Sequence, residues 1–139
     1  MPNYGASILG LLVLSAMSLI LAGLVGPAKG KARVTAGSVP QADYANPLFR
    51  LERTHQNSLE TLAVFAVPAL CAMAVGLSPQ ALAVMIWAQV GLRLVFSWLY
   101  LRGIGLSAGG PRTFVFIASS TLTLVLMVWT AVAAMGWAG

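Results

Sequence analysis

Four apolar runs organise the chain, separated by one long polar interval, one short turn and one glycine-rich interval. The first, about Tyr4 to Val25, has no charged side chain and is long enough, at about 22 residues, to cross a bilayer. Gly26-Pro27 predicts its end, ahead of Lys29, Lys31 and Arg33. No basic segment precedes this run, and it is longer than the apolar part of a signal peptide, so a retained transmembrane helix is expected. The interval from Lys29 to Tyr44 is polar and holds Gly30, Gly37, Ser38 and Pro40. It reads as a loop, long for a compact bundle and therefore a candidate functional loop. Asn46-Pro47 then predicts an N-cap followed by proline at the first helical position.

The second helix should run from about residue 46 to Val75, with a kink expected at Pro68. Its purely apolar part, Thr61 to Val75, is only about 15 residues, too short to span alone. The polar segment Arg50 to Glu60 must therefore belong to the same helix. After the turn Gly76-Leu77-Ser78, Ser78 and Pro79 repeat the N-cap and proline pattern and open a third helix ending near Arg102. Gly103 to Gly110 reads as a flexible loop. Pro111 opens a fourth helix, expected to reach about Trp137. The reading is an all-α, integral membrane four-helix bundle forming a single domain over residues 1–139.

Composition agrees: 59% of residues are hydrophobic and 8% charged, with mean hydropathy +0.88, whereas soluble domains are about one quarter charged. The net charge of +5 does not point to nucleic acid, because the basic residues flank apolar spans. All eight Lys and Arg lie between Lys29 and Arg112, and none lies in the turn between the second and third spans. The positive-inside rule then predicts both charged loops in the cytoplasm and both termini outside. Cys71 is the only cysteine, lies in an apolar run and is expected to act as a small hydrophobe rather than a redox group. Trp87, Trp98, Trp129 and Trp137 read as interfacial and packing aromatics. Ser119, Ser120, Thr121 and Thr123 suggest close helix contact in the fourth span.

Candidate chemistry concentrates where polar groups enter the membrane, since such groups are costly there and usually functional. Arg50, Arg53, Asn57 and Glu60 are spaced 3, 4 and 3, which places them on one face of the second helix, with Glu52 and His55 pointing elsewhere. Arg93, Ser97 and Tyr100 form a matching stripe on the third. Arg93 lies well inside its span and needs a partner; Glu60 is the expected one. That pair could be a structural tie, or the two stripes could line a shared pocket. The arginine surplus favours a pocket for an anionic ligand, because guanidinium groups bind carboxylates bidentately. A lone His55 is poor evidence for a metal, and no metal is expected. Ser107 has no base beside it, and no phosphate-binding loop is present.

Arg50-x-x-Arg53-x-x-x-Asn57-x-x-Glu60 at the start of the second of four short membrane helices resembles the signature of the MAPEG family, membrane-associated proteins in eicosanoid and glutathione metabolism. Arg93, Ser97, Tyr100 and then Arg112-Thr113 extend that resemblance along the chain. The resemblance implies a homotrimer with a glutathione site at each subunit interface, beside a cleft for a lipophilic substrate and facing the cytoplasm. By position, Arg53, Asn57, Glu60, Arg93 and Thr113 would hold glutathione, joined by Arg50 and His55 and by a basic residue among Lys29, Lys31 and Arg33 from a neighbour. Glu60 would engage the amino group and the arginines the carboxylates. Arg112, with Tyr100 and Ser97, would be catalytic, Arg112 stabilising the thiolate. The chain departs from prostaglandin- and leukotriene-synthesising members at Gln56 and Thr61, and has Val64 where a proline is common after the motif. A general glutathione transferase or peroxidase acting on lipophilic electrophiles or hydroperoxides, in a bacterial inner membrane, is therefore the expectation. A non-enzymatic lipid-binding scaffold of the same family is the alternative. A small proton-coupled exporter fits poorly, because a carrier of cations wants an acidic cavity.

Overall fold

The computed structural model describes residues 3–105 and 109–136. It contains four helices, α1 (Gly5–Lys31), α2 (Pro47–Ala74), α3 (Pro79–Arg102) and α4 (Pro111–Ala134), and no strand among the described residues. All four are long and apolar enough to cross a membrane. The helix starts follow from the sequence. Asn46 Oδ1 accepts from Leu48 N–H at 2.9 Å, Ser78 Oγ accepts from Ala81 N–H at 3.5 Å, and proline follows each cap. α3 stops where Gly103 takes the left-handed conformation (φ 71°), with Ile104 N–H reaching Leu99 C=O and Gly103 N–H reaching Tyr100 C=O. α4 ends at Ala134, short of the expected end; Trp137 lies outside the described residues, as does Ser107.

α1 differs most from expectation. It does not stop at Gly26-Pro27 but continues through Pro27 to Lys31. The proline has no N–H to give the carbonyl of Gly23, four positions back, and Gly23 is exposed on the helix surface. The last turn is held by tertiary contacts: Lys29 Nζ lies 3.0 Å from Glu52 Oε2 on α2 and donates to the Ser38 carbonyl at 2.8 Å. At 27 residues α1 is about 40 Å long, more than the roughly 30 Å hydrocarbon layer, so its basic end stands clear of the core.

α2 and α3 form the short diagonal of the bundle, each touching all other helices, whereas α1 and α4 do not meet. The apolar core is built around Phe65, Leu82, Ile86 and Leu126. α1 approaches α3 closely at Gly10, where an added Cβ would stand 2.5 Å from Ile86 Cγ2. Trp87 Nε1 donates to the Ala6 carbonyl and the Tyr4 hydroxyl to the Leu77 carbonyl, tying α1 to α3 and to the 76–78 turn. Of the fourth-span hydroxyls, Ser119 and Thr123 are buried, but Ser120 and Thr121 face outward. Cys71 is also exposed on the helix surface, not buried. Up-and-down connectivity brings the end of α1, the start of α2, the end of α3 and the start of α4 to one end of the bundle.

Candidate functional site

At that charged end, α2, α3, α4 and the first loop enclose a pocket of about 240 Å³. Arg53 and Asn57 enter from α2, Tyr100 from α3, and Arg112 and Thr113 from the first turn of α4. Arg112 is set by the connection before it. Gly105 (φ 65°) packs so closely that a Cβ would lie 2.6 Å from Pro111 Cδ, which fixes where α4 begins. The Arg112 guanidinium then stands 4.9 Å from the Tyr100 ring centroid and 5.7 Å from that of Tyr44. Such cation–π contacts hold a charge over an aromatic face without neutralising it.

Tyr44, from the loop between α1 and α2, is the polar pocket residue that sequence reasoning missed, beside the apolar Phe96 and Phe116. Loop residues carry no periodic signal, and only the Tyr44-x-x-Pro47 approach to α2 hinted at an ordered segment. Tyr44 packs edge-on to Phe49, with centroids 5.2 Å apart, and tilts against Tyr100 at 6.0 Å. Its hydroxyl is more acidic than an ordinary phenol. The hydrogen bond from Tyr100 is the main cause; burial opposes it, and Arg112 and Arg53 reinforce it.

The second stripe is divided by the structure. Phe96 and Tyr100, one turn apart, face this pocket, whereas Ser97 faces α1 and lines an apolar cleft of about 500 Å³ with Leu21, Leu94 and Trp98. Ser97 is therefore not grouped with Arg112, because one position along a helix rotates the side chain by about 100°. The expected Glu60–Arg93 pair does not form. Arg93 is buried, donates through Nη2 to Asn57 Oδ1 and lies 4.4 Å from the Phe96 ring centroid. Glu60 is exposed on the α4 side of α2, in a groove of about 290 Å³. Asn57 and Phe116 line both this groove and the arginine pocket, so the two adjoin.

The remaining predicted residues take other posts. Arg50 donates to the backbone carbonyls of Tyr44, Ala45 and Leu101, which joins the first loop to the end of α3. His55 is half-buried and outside the pocket lining. Arg33 is exposed in the first loop with φ 54°. Glu52, set aside on sequence grounds, is the buried acid of α2. Arg53 Nη1 donates to Gln56 Oε1 at 2.7 Å, and Gln56 Nε2 to Glu52 Oε1 at 3.4 Å. A polar chain thus runs from the Ser38 carbonyl through Lys29, Glu52 and Gln56 to Arg53. No cluster of metal-ligating side chains occurs among the described residues.

Two arginines, two phenols and two neutral hydrogen-bonding side chains around one pocket, with a carboxylate in the adjoining groove, suit a ligand with several carboxylates and one amine. A family model, the MAPEG family, matches residues 6–132, nearly the whole chain. No curated protein matches it.

Proposed function

The chain belongs to the MAPEG family, which includes glutathione transferases and related members, and from that premise we propose that it is a glutathione-dependent membrane enzyme. The observation that carries the reading is the convergence of Arg53, Tyr100 and Arg112 on one pocket that adjoins the Glu60 groove. Glutathione offers two carboxylates, one ammonium and one thiol. Arg53 suits a carboxylate, Asn57 and Thr113 suit the peptide groups, and Glu60 suits the ammonium. Arg112 suits the sulfur: an adjacent cation favours thiolate, which is the nucleophile. The thiolate would attack an apolar electrophile, or the peroxide oxygen of a hydroperoxide, arriving from the membrane.

Glu60 also supports a homotrimer. An exposed carboxylate on a membrane helix is costly unless something else covers it. A neighbouring copy seated on the α2–α4 groove would do so and would bring its own basic loop, with Lys31 and Arg33, towards the site. In this reading the charged end faces the cytoplasm. A lipid-binding scaffold is the second reading, favoured by the apolar α1–α3 cleft of about 500 Å³.

The test is to titrate glutathione into purified protein in detergent and follow thiolate absorbance, beside Arg112→Ala and Arg53→Ala. The expectation is thiolate in the native protein, binding without thiolate in Arg112→Ala, and affinity about tenfold or more weaker in Arg53→Ala, the scale of a charge-assisted hydrogen bond. Absence of glutathione binding by folded native protein would overturn the reading.

A further inference from the structure

Tyr44 is held in place more firmly than a solvated loop residue would be. Arg50 Nη1 binds the Tyr44 carbonyl at 2.6 Å and the Ala45 carbonyl at 3.0 Å. Behind it, Lys29 anchors the loop through the Ser38 carbonyl. Phe49 and Tyr100 fix the ring on two sides. These restraints cost conformational entropy and present one partly exposed phenol to the pocket that contains Arg112.

The surroundings decide what that phenol can do. The Tyr44 and Tyr100 ring centroids lie 6.0 Å apart, and the Arg112 guanidinium stands 5.7 Å from the Tyr44 ring centroid. A phenol oxygen can accept from a neighbour while its own O–H donates to a group in the pocket. The groups facing Tyr44 are Arg53 from α2, Tyr100 from α3 and Arg112 from α4, and none of the side chains lining the pocket is acidic. Such surroundings recruit an anion rather than a base. Tyr44's heightened acidity makes it a stronger donor to that anion.

Resting on the glutathione reading above, we infer that Tyr44 contacts the substrate, its hydroxyl donating to the glutathione sulfur beside Arg112 and holding it as thiolate. In the ionisation the S–H bond breaks, the electron pair stays on sulfur, and the proton leaves to water at the pocket mouth. Tyr44 keeps its proton throughout and shares it in an O–H···S⁻ bond. Arg112 supplies charge and Tyr44 supplies direction, so the sulfur is fixed in position as well as ionised.

Tyr44→Phe tests this, because it keeps the ring contacts and removes only the hydroxyl. The bound thiol's pKa is read from thiolate absorbance across pH, and affinity for S-methylglutathione, which has no thiol, is measured in parallel. The expected result is a thiol pKa raised by about one unit, a tenfold loss of thiolate at a fixed pH below it. S-methylglutathione affinity should stay within about twofold, less than half of one such unit. Tyr100→Phe should shift the thiol pKa in the same direction by less, since it only removes polarisation of Tyr44. Glutathione bound as thiolate by the native protein, with an unchanged pKa in Tyr44→Phe, overturns the inference and leaves the enzyme reading standing. If native protein binds neither compound, both fall. A glutathione-free readout is tyrosine titration by absorbance: with three tyrosines in the chain, Tyr44→Phe should remove the lowest-pH step. Removal of a higher step instead would contradict the heightened acidity of Tyr44 and count against it as the donor.

Discussion

Replacing Lys29 by Met should destabilise the protein far more than a surface lysine substitution. Its ammonium lies 3.0 Å from Glu52 Oε2, and the two side chains are only 11% and 9% exposed. At an effective dielectric of 20 the pair attraction is about 5.5 kcal/mol. Desolvating two ions costs several kcal/mol each, so the pair as a whole contributes little net stability. Removing one member is different, because it leaves the other charge buried and uncompensated, at roughly 3–5 kcal/mol. Lys29→Met should therefore cost about 3 kcal/mol or more, including the lost bond to the Ser38 carbonyl. The double variant Lys29→Met/Glu52→Leu, which removes both charges, should recover most of that loss. The assay is equilibrium unfolding in mixed micelles of all four species in the double-mutant cycle, followed by helical circular dichroism. If the double variant loses the sum of the single losses, the two groups act independently and the buried-pair argument is wrong. The same cycle has a functional arm. Through Gln56 the pair reaches Arg53, so Lys29→Met should weaken anion binding at the pocket before it unfolds the chain.

Gly10→Ala should cost about 1–3 kcal/mol, the range for overpacking, because the new methyl meets Ile86 at 2.5 Å; Gly10→Ala/Ile86→Val should recover part of it in the same unfolding assay. Gly105→Ala must adopt φ 65° and meets Pro111, so it should cost about 1 kcal/mol or more and displace Arg112, seen as weaker glutathione binding than in native protein. Tyr44 ionises more readily in the folded chain than in the unfolded one. The stability this adds is therefore fully present above the unfolded phenol value near 10 and is lost as pH falls through the lower folded value. Unfolding of Tyr44→Phe and native protein should show the same pH slope at neutral pH and diverge only in alkaline solution.

The four helices were legible because their signals are local. Apolar length, Asn46-Pro47, Ser78-Pro79 and Gly103 each act within a few residues, and the structure places helix boundaries beside them. The end of α1 was not legible, because what carries it past Pro27 is Glu52, 23 positions further along the chain from Lys29. The polar stripe on α2 was read correctly as one face, but its partners were not. A shared helix face says which side chains are neighbours, not which residue on the next helix each one meets, so Arg93 met Asn57 rather than Glu60. On α3 the spacing rule grouped Ser97 with Tyr100, while the contact with α4 passes through Phe96. Tyr44 belongs to no periodic segment, and its position depends on Arg50, whose guanidinium binds backbone carbonyls that a sequence pattern does not reveal.

Gathering every charged side chain at one end of the bundle or within the spans also bears on how the chain enters a membrane. The 76–78 turn contains only glycine, leucine and serine, and the side chains of both termini are uncharged. When the charged end stays on the side of synthesis, α2 and α3 can insert as one helical hairpin led by this turn, with α1 and α4 as its flanking spans. No loop bearing a lysine or arginine has to be carried across the hydrocarbon. Glu60 and Arg93 enter only partway, and Arg93 does so on a helix whose neighbour supplies Asn57. Between α2 and α3, what has to cross is the backbone of one three-residue turn, whose Leu77 carbonyl the Tyr4 hydroxyl takes up once α1 is in place.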